Sequence, residues 1–167
     1  MDWSAQNILA VALESSVYVW NATTSTVEEL CDVGLEDQVT SLSWSNQGGH
    51  LSIGTKSGEV QIWDINHKKK VRSLDGHQAR VSSLAWNNVS TSVIASGSKD
   101  KSILVRDLRA HSNNYMKLTE HRQEVCGLRW SLHDENQLAS GGNDNKLFIW
   151  SATSDKPLEK FSDHQAA

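Results

Sequence analysis

The residues of this chain best suited to chemistry are a histidine, a serine and an aspartate that occur together twice. His77, Ser96 and Asp100 form one set; His121, Ser140 and Asp144 form the other, with Trp150 following. In a hydrolase these types would supply a nucleophile, a base and the carboxylate that orients it. That reading needs an exposed nucleophile, an aimed base and an oxyanion hole. Here the trio repeats with the period of the chain, as structural bonding would and an active site would not. No P-loop, HExxH pair, GxSxG elbow or Cys/His zinc spacing occurs. No catalysis, cofactor or metal is expected.

Seven tryptophans set against two Tyr, two Phe and one Pro mark the elements that must position these groups. Trp3, Trp44, Trp86 and Trp130 follow one another at steps of 41, 42 and 44 residues. Trp20, Trp63 and Trp150 form a second series, with Arg106 where its missing member falls. A period of about 40–45 residues with four short strands per unit is the WD40 signature, one unit per propeller blade. The phrases Val39-x-x-Leu42-x-Trp44, Val81-x-x-Leu84-x-Trp86 and Val125-x-x-Leu128-x-Trp130 alternate apolar with small or polar residues, as blade strands should. A second strand follows each, then a polar turn (Lys56-Ser57-Gly58, Lys99-Asp100-Lys101, Asn143-Asp144-Asn145) of hairpin chemistry. Third strands end on Trp63-Asp64, Arg106-Asp107 and Trp150-Ser151, and a weaker fourth strand comes after. The expected fold is all-β: a partial propeller of about four blades spanning 1–36 (clipped), 37–75, 76–119 and 120–162, with 163–167 leading toward a further blade.

Gly76-His77, Glu120-His121 and Asp163-His164 stand where the repeat carries its GH dipeptide. In WD40 blades His, Ser or Thr, the turn Asp and the strand-three Trp form one hydrogen-bond chain. The fourth blade can complete it from His121, Ser140, Asp144 and Trp150. The third has His77, Ser96 and Asp100 but ends on Arg106, so its chain must close differently. The second lacks His and Asp, with Gln38 and Ser57 in their places.

Composition narrows the function classes. The 167 residues are the size of one ordinary domain or a slice of a repeat protein. Sixteen Lys and Arg against twenty Asp and Glu give a net charge of −4, which argues against nucleic-acid backbone binding. No window approaches the ~20 apolar residues of a membrane span, and Met1–Ser4 does not begin a signal peptide. Cys31 and Cys126 fit no paired spacing and read as reduced thiols of an intracellular protein. Cys126, inside a core strand phrase, reads as a small buried hydrophobe. His67–Lys70 reads as a solvated loop, and Asn21-Ala22-Thr23 and Asn88-Val89-Ser90 as chance sequons.

Longer phrases add a resemblance. Asp2 to Leu13, followed by Val17-Tyr18-Val19-Trp20-Asn21, resembles the first blade of the Fizzy and Fizzy-related family. His121-Arg122-Gln123-Glu124-Val125-Cys126-Gly127-Leu128-Arg129-Trp130, followed by Leu138 to Leu147, is similar to a later blade. Gly76-His77-x-Ala79-Arg80-Val81 and Arg106-Asp107-Leu108-Arg109 resemble the third, even to the missing Trp. His121-Arg122-Gln123 and Asn145-Lys146-Leu147 lean toward the Fizzy-related branch.

The resemblance implies a non-enzymatic, nuclear and cytoplasmic co-activator that carries substrates to the anaphase-promoting complex, a cell-cycle ubiquitin ligase. Its partners would be degron-bearing proteins and subunits of that complex. Asn143 and Asn145 match positions that bind the KEN-box degron, and Asp2 matches a position beside the D-box groove. A side-chain amide offers both donors and an acceptor to a peptide, although Asn-Asp-Asn is also good turn chemistry. The family's ring has about seven blades, and its N-terminal docking motif and C-terminal Ile-Arg tail have no counterpart here. The chain is therefore expected to be a fragment or incomplete homologue, with self-pairing or a strained four-bladed closure as other outcomes. The other functional readings are a general WD40 interaction scaffold and a non-functional partial homologue.

Overall fold

Short alternating segments broken by tight polar turns fold as hairpins, and that is how the chain is built. The computed structural model describes residues 1–110 and 114–165. The segment expected to lead toward a further blade is therefore described through Gln165, and residues 166 and 167 lie outside the described residues.

Sixteen strands form four antiparallel sheets of four, each a simple up-and-down meander. The first holds β1 (Asp2–Trp3), β2 (Ile8–Leu13), β3 (Ser16–Asn21) and β4 (Thr26–Asp32). The second holds β5 (Val39–Trp44), β6 (His50–Thr55), β7 (Val60–Asp64) and β8 (Lys69–Leu74). The third holds β9 (Val81–Trp86), β10 (Val93–Ser98), β11 (Ile103–Asp107) and β12 (Met116–Leu118). The fourth holds β13 (Val125–Trp130), β14 (Gln137–Gly142), β15 (Lys146–Ser151) and β16 (Pro157–Phe161). No helix occurs among the described residues. The fold is an all-β propeller segment.

The apolar residues collect at the seams between consecutive sheets. Val17, Val19 and Cys31 of the first sheet pack with Trp44, Leu51 and Ile53 of the second. Val60, Ile62 and Leu74 of the second pack with Val81, Trp86 and Ile94 of the third. Ala95, Ile103 and Leu118 of the third pack with Trp130, Leu138, Phe148 and Trp150 of the fourth. The second and third sheets are thus covered on both sides and the first and fourth on one, as layered β architectures require. β1, β5, β9 and β13 together border a central cleft of about 480 Å3 that includes Trp3, Trp44, Trp86 and Trp130.

The first tryptophan series stitches these seams. The indole N–H of Trp44 donates to the carbonyl of Asp2 (3.0 Å), that of Trp86 to Ser43 (3.1 Å) and that of Trp130 to Ala85 (3.1 Å). Each acceptor is the residue just before the tryptophan of the preceding sheet. The large ring fills the seam while its polar edge finds a buried partner.

One expectation is overturned. Cys126 is exposed, not buried. Val125 turns into the seam with the third sheet and is fully buried. A register shift between Val125 and Gly127 and the alternation of the strand then aim Cys126 the other way, into an open cleft on the far side of the fourth sheet.

Candidate functional site on the loop face

At one end of the molecule, the turn between the second and third strands of the second, third and fourth sheets meets the segment that enters the first strand of the same sheet. Three repeated backbone bonds fix that meeting. The N–H of Lys56 donates to the carbonyl of Gln38 (2.8 Å), that of Lys99 to Arg80 (3.0 Å) and that of Asn143 to Glu124 (2.9 Å). The turns close through left-handed residues: Gly58 (φ 103°), Lys101 (φ 74°) and Asn145 (φ 59°). Asn adopts that region more easily than most residues because its short polar side chain bonds locally.

Beneath the fourth turn lies a continuous relay. Trp150 Nε1–H donates to Ser140 Oγ (2.8 Å), and the Ser140 hydroxyl donates to His121 Nε2 (2.7 Å). His121 Nδ1–H donates to Asp144 Oδ1 (3.0 Å), and the Arg122 N–H donates to Asp144 Oδ2 (2.8 Å). Every donor and acceptor is matched only when the imidazole is neutral. Burial pushes the His121 pKa down, in keeping with that state. Burial alone would raise the Asp144 pKa, but the Arg122 N–H and His121 outweigh it and hold the carboxyl below its ordinary value.

The third sheet keeps the inner part of this arrangement. The Ser96 hydroxyl donates to His77 Nε2 (2.8 Å), and His77 Nδ1–H donates to Asp100 Oδ2 (3.0 Å). Burial raises the Asp100 carboxyl, yet bonds from Ser102 and the Gln78 N–H bring it down to about 2. Where the fourth sheet has Trp150, Arg106 lies buried with its guanidinium on the carbonyl of Asp75 and over the Tyr115 ring at 4.9 Å. Its Nε is buried without a partner, and burial holds its pKa below the ordinary value.

The second sheet replaces the relay altogether. Ile53 stands where Ser96 and Ser140 stand in their strands. Trp63 Nε1–H donates instead to Gln61 Oε1 (3.0 Å). Ser57 donates to Asp37 through its hydroxyl (2.6 Å) and its N–H (3.0 Å). The place of His77 and His121, four residues before the valine of the first strand, falls on exposed Leu35 rather than on Gln38, and Asp37 supplies the polar partner at this turn.

With its aspartate turned inward, the fourth turn presents its two amides outward. Asn143 is exposed and Asn145 half-buried. The Cys126 thiol donates to Asn143 Oδ1 (3.0 Å), and Asn145 Nδ2 donates to the carbonyl of Gln165 (3.3 Å). Both border an open cleft of about 330 Å3 with Cys126, Gly141, Leu147 and His164. Asp2 is elsewhere, on the central cleft. Its Oδ2 accepts the backbone N–H of Trp44 (2.7 Å), so the carboxylate is bonded into the seam rather than merely solvated. Sequence reasoning missed the partnership of Cys126 with Asn143, which the bulge beside Val125 and the packing of the third sheet create.

Four-stranded meanders, seam-filling tryptophans and the His–Ser–Asp–Trp relay define a WD40 β-propeller, and the chain belongs to that family. The family model "WDR19 first beta-propeller" matches residues 1–126, and "WD domain, G-beta repeat" matches residues 112–151. Within it, the chain is a homologue of the Fizzy-related, Cdh1 and Cdc20 proteins. It is 53% identical over 167 residues to Protein FIZZY-RELATED 2 of Arabidopsis thaliana, covering all of this chain and 34% of that protein. It is 55% identical over 152 residues to "Anaphase-promoting complex subunit cdh1" of Dictyostelium discoideum, covering 90% of this chain and 20% of that protein. A chain in the crystal structure of the Mitotic Checkpoint Complex superposes with a TM-score of 0.94 at 44% identity, over 99% of this chain and 50% of that one. The chain thus spans between a fifth and two fifths of the length of the curated relatives it matches.

Proposed function

We propose that this chain is a degron-reading segment of a co-activator of the anaphase-promoting complex. Its loop face would hold an extended peptide of a protein destined for ubiquitination, while a ligase elsewhere performs the chemistry. The observation that carries this reading is the fourth turn. Asp144 is held inward by His121 and the Arg122 N–H, and the amides of Asn143 and Asn145 flank it at the surface. A rigid strand-borne turn gives such amides a fixed geometry toward a peptide's polar groups. Asp2, on the central cleft, is the candidate for the D-box.

The reading is non-enzymatic. Ser140 and Ser96 are only 1% and 2% exposed, and Ser140 is held between His121 and Trp150. Neither hydroxyl is open to an incoming carbonyl. The homologues named above add support, since one is named as a subunit of the anaphase-promoting complex. Action in the nucleus and cytoplasm is part of the proposal.

Fluorescence anisotropy of a labelled KEN-box peptide titrated with this chain tests it. The expected result is saturable binding that disappears with an alanine-substituted peptide and with Asn143→Ala. No saturable binding by a folded chain would overturn the degron-reading role and leave a general interaction scaffold.

A further inference from the structure

The three seams obey one register rule. Strand pairing sets each first-strand tryptophan in a row with one residue from each of the next two strands. Trp44, Leu51 and Trp63 form that row in the second sheet. Trp86, Ile94 and Arg106 form it in the third, and Trp130, Leu138 and Trp150 in the fourth. Each row faces the preceding sheet.

The receiving surface is also a row, built one place before the tryptophan. Asp2, Ala10 and Val19 receive Trp44. Ser43, Ser52 and Ile62 receive Trp86, and Ala85, Ala95 and Val105 receive Trp130. In every seam the first member of the receiving row gives its carbonyl to the indole N–H.

Two rows are left unmatched. In the first sheet Trp3, Leu9 and Trp20 align in the same register, with the two indole rings edge to face at 5.9 Å. Trp3 is 52% exposed, against 5% for Trp44 and 2% for Trp130. In the fourth sheet Arg129, Ala139 and Ile149 form a receiving row that borders an open cleft of about 200 Å3. The chain thus carries one aromatic row and one receiving row without a partner, and the two are the halves of one seam.

Charge agrees with the match. Residues 1–36 include six Asp and Glu and no Lys or Arg, and Glu29 stands beside Tyr18 on the uncovered face. The clefts on the far side of the fourth sheet hold Arg129 and Lys146 and no carboxylate in their linings. Glu159 lies farther out, opposite Ile149 on the edge strand.

We propose that two copies of this chain pair head to tail. The Trp3 row of each packs on the Arg129 row of the other, so that eight sheets close one ring. An interface between two unlike surfaces makes a ring when its rotation closes, and eight sheets lie within the range of propellers. Eight sheets in place of seven lower the angle between neighbours from about 51° to about 45°. The Arg129 carbonyl would receive the indole of the partner's Trp3. The Asp2 carboxylate already reaches the backbone of Trp44 from the equivalent position, so the Arg129 guanidinium would reach the partner's Trp3, whose ring face attracts a cation. The valines that fill Gly54 and Gly97 have no counterpart before Trp3 in this chain, so the space at Gly141 stays open. Pairing is therefore weaker than the seams within one copy and depends on concentration. It stands apart from the degron reading and survives the failure of that reading.

Sedimentation velocity over a rising concentration series tests the pairing. The expected result is a doubling of mass from 18.5 kDa to one discrete dimer. Gly141→Arg blocks the receiving face at a point where an added side chain meets no atom of its own copy. Trp3→Glu blocks the aromatic face at an exposed residue. With folding checked by circular dichroism, each variant alone should stay monomeric. An equimolar mixture of the two should recover a dimer, joined through its one intact seam. Cys126 shares the far side of the fourth sheet, so its labelling by a maleimide, rapid in dilute chain, should slow as the unaltered chain is concentrated. A monomer throughout the series would overturn the proposal. So would a dimer that survives either substitution, which would show like faces pairing, or a mixture that stays monomeric. A ladder of larger species would overturn it too, because the seam would then form without closing. The series on the unaltered chain decides the pairing however the variants fold.

Discussion

Val125 sits directly over Gly97. A methyl group at Gly97 would lie 2.7 Å from Val125 Cγ1 and 2.6 Å from Ser83 Oγ. Gly54 lies under Val81 in the same way, with the valine Cβ at 2.8 Å. At the equivalent place in the fourth sheet, Gly141 has nothing within 4 Å. Val81 and Val125 are thus knobs, and Gly54 and Gly97 of the preceding sheets are their holes.

This relationship separates two chemically identical substitutions. Gly97→Ala must push the fourth sheet away from the third and is expected to cost about 1–3 kcal/mol, the usual range for overpacking. Gly141→Ala meets open space and should stay within about 0.5 kcal/mol of the unaltered chain. Urea unfolding followed by tryptophan fluorescence reads both, and equal losses would show that the seam is not packed as described.

Ser140→Ala tests the relay. It leaves the Trp150 indole N–H and His121 Nε2 without the partner they share. Two buried polar groups left unpaired are expected to cost about 2–4 kcal/mol. Ser96→Ala, with no tryptophan behind it, should cost less. A lower urea midpoint at unchanged slope for both, in that order, is the expected result.

Acid should loosen the fold in two stages. His77 and His121 are held neutral by burial, below their ordinary value of 6.5. The unfolded chain therefore takes up protons near 6.5 that the native chain refuses. Their stabilisation is complete above that pH and is lost as pH falls below it. Asp100 and Asp144 titrate below their ordinary 3.8, Asp100 at about 2. Their stabilisation is present above 3.8 and is lost from there downward. Melting temperature measured across the acid range should be flat above about pH 7, fall toward pH 5 and fall again below pH 4. A rise between pH 7 and pH 5 would show charged histidines and refute the neutral relay.

The two thiols should behave differently toward a maleimide. Cys126 is exposed, whereas Cys31 is buried and its pKa is pushed up to about 12, chiefly by burial. One label per native chain is expected by mass spectrometry, on Cys126, and none on Cys126→Ser. Because the Cys126 thiol touches the Asn143 amide, the labelled chain should also lose KEN-peptide binding. Retained binding would move the peptide away from that turn.

The sequence by itself determined the periodic part of this protein. Two tryptophan series and the phrases opening on Val39, Val81 and Val125 specify four-stranded units, because side chains alternating across a strand and repeating at one period can only stack as blades. The recurrence of His, Ser and Asp at that same period marked them as bonding groups. Tertiary structure decided what lies across the seams. The carbonyls that receive Trp44, Trp86 and Trp130 belong to the preceding sheet, some forty residues away, and no local pattern names them. The exchange of Gln38 for Asp37 at the second turn depends on which side chain the backbone turns inward. The exposure of Cys126 escapes the local pattern for the same reason. Burial belongs to a face rather than to a residue type, and the bulge beside Val125 together with the packing of the third sheet chose the face.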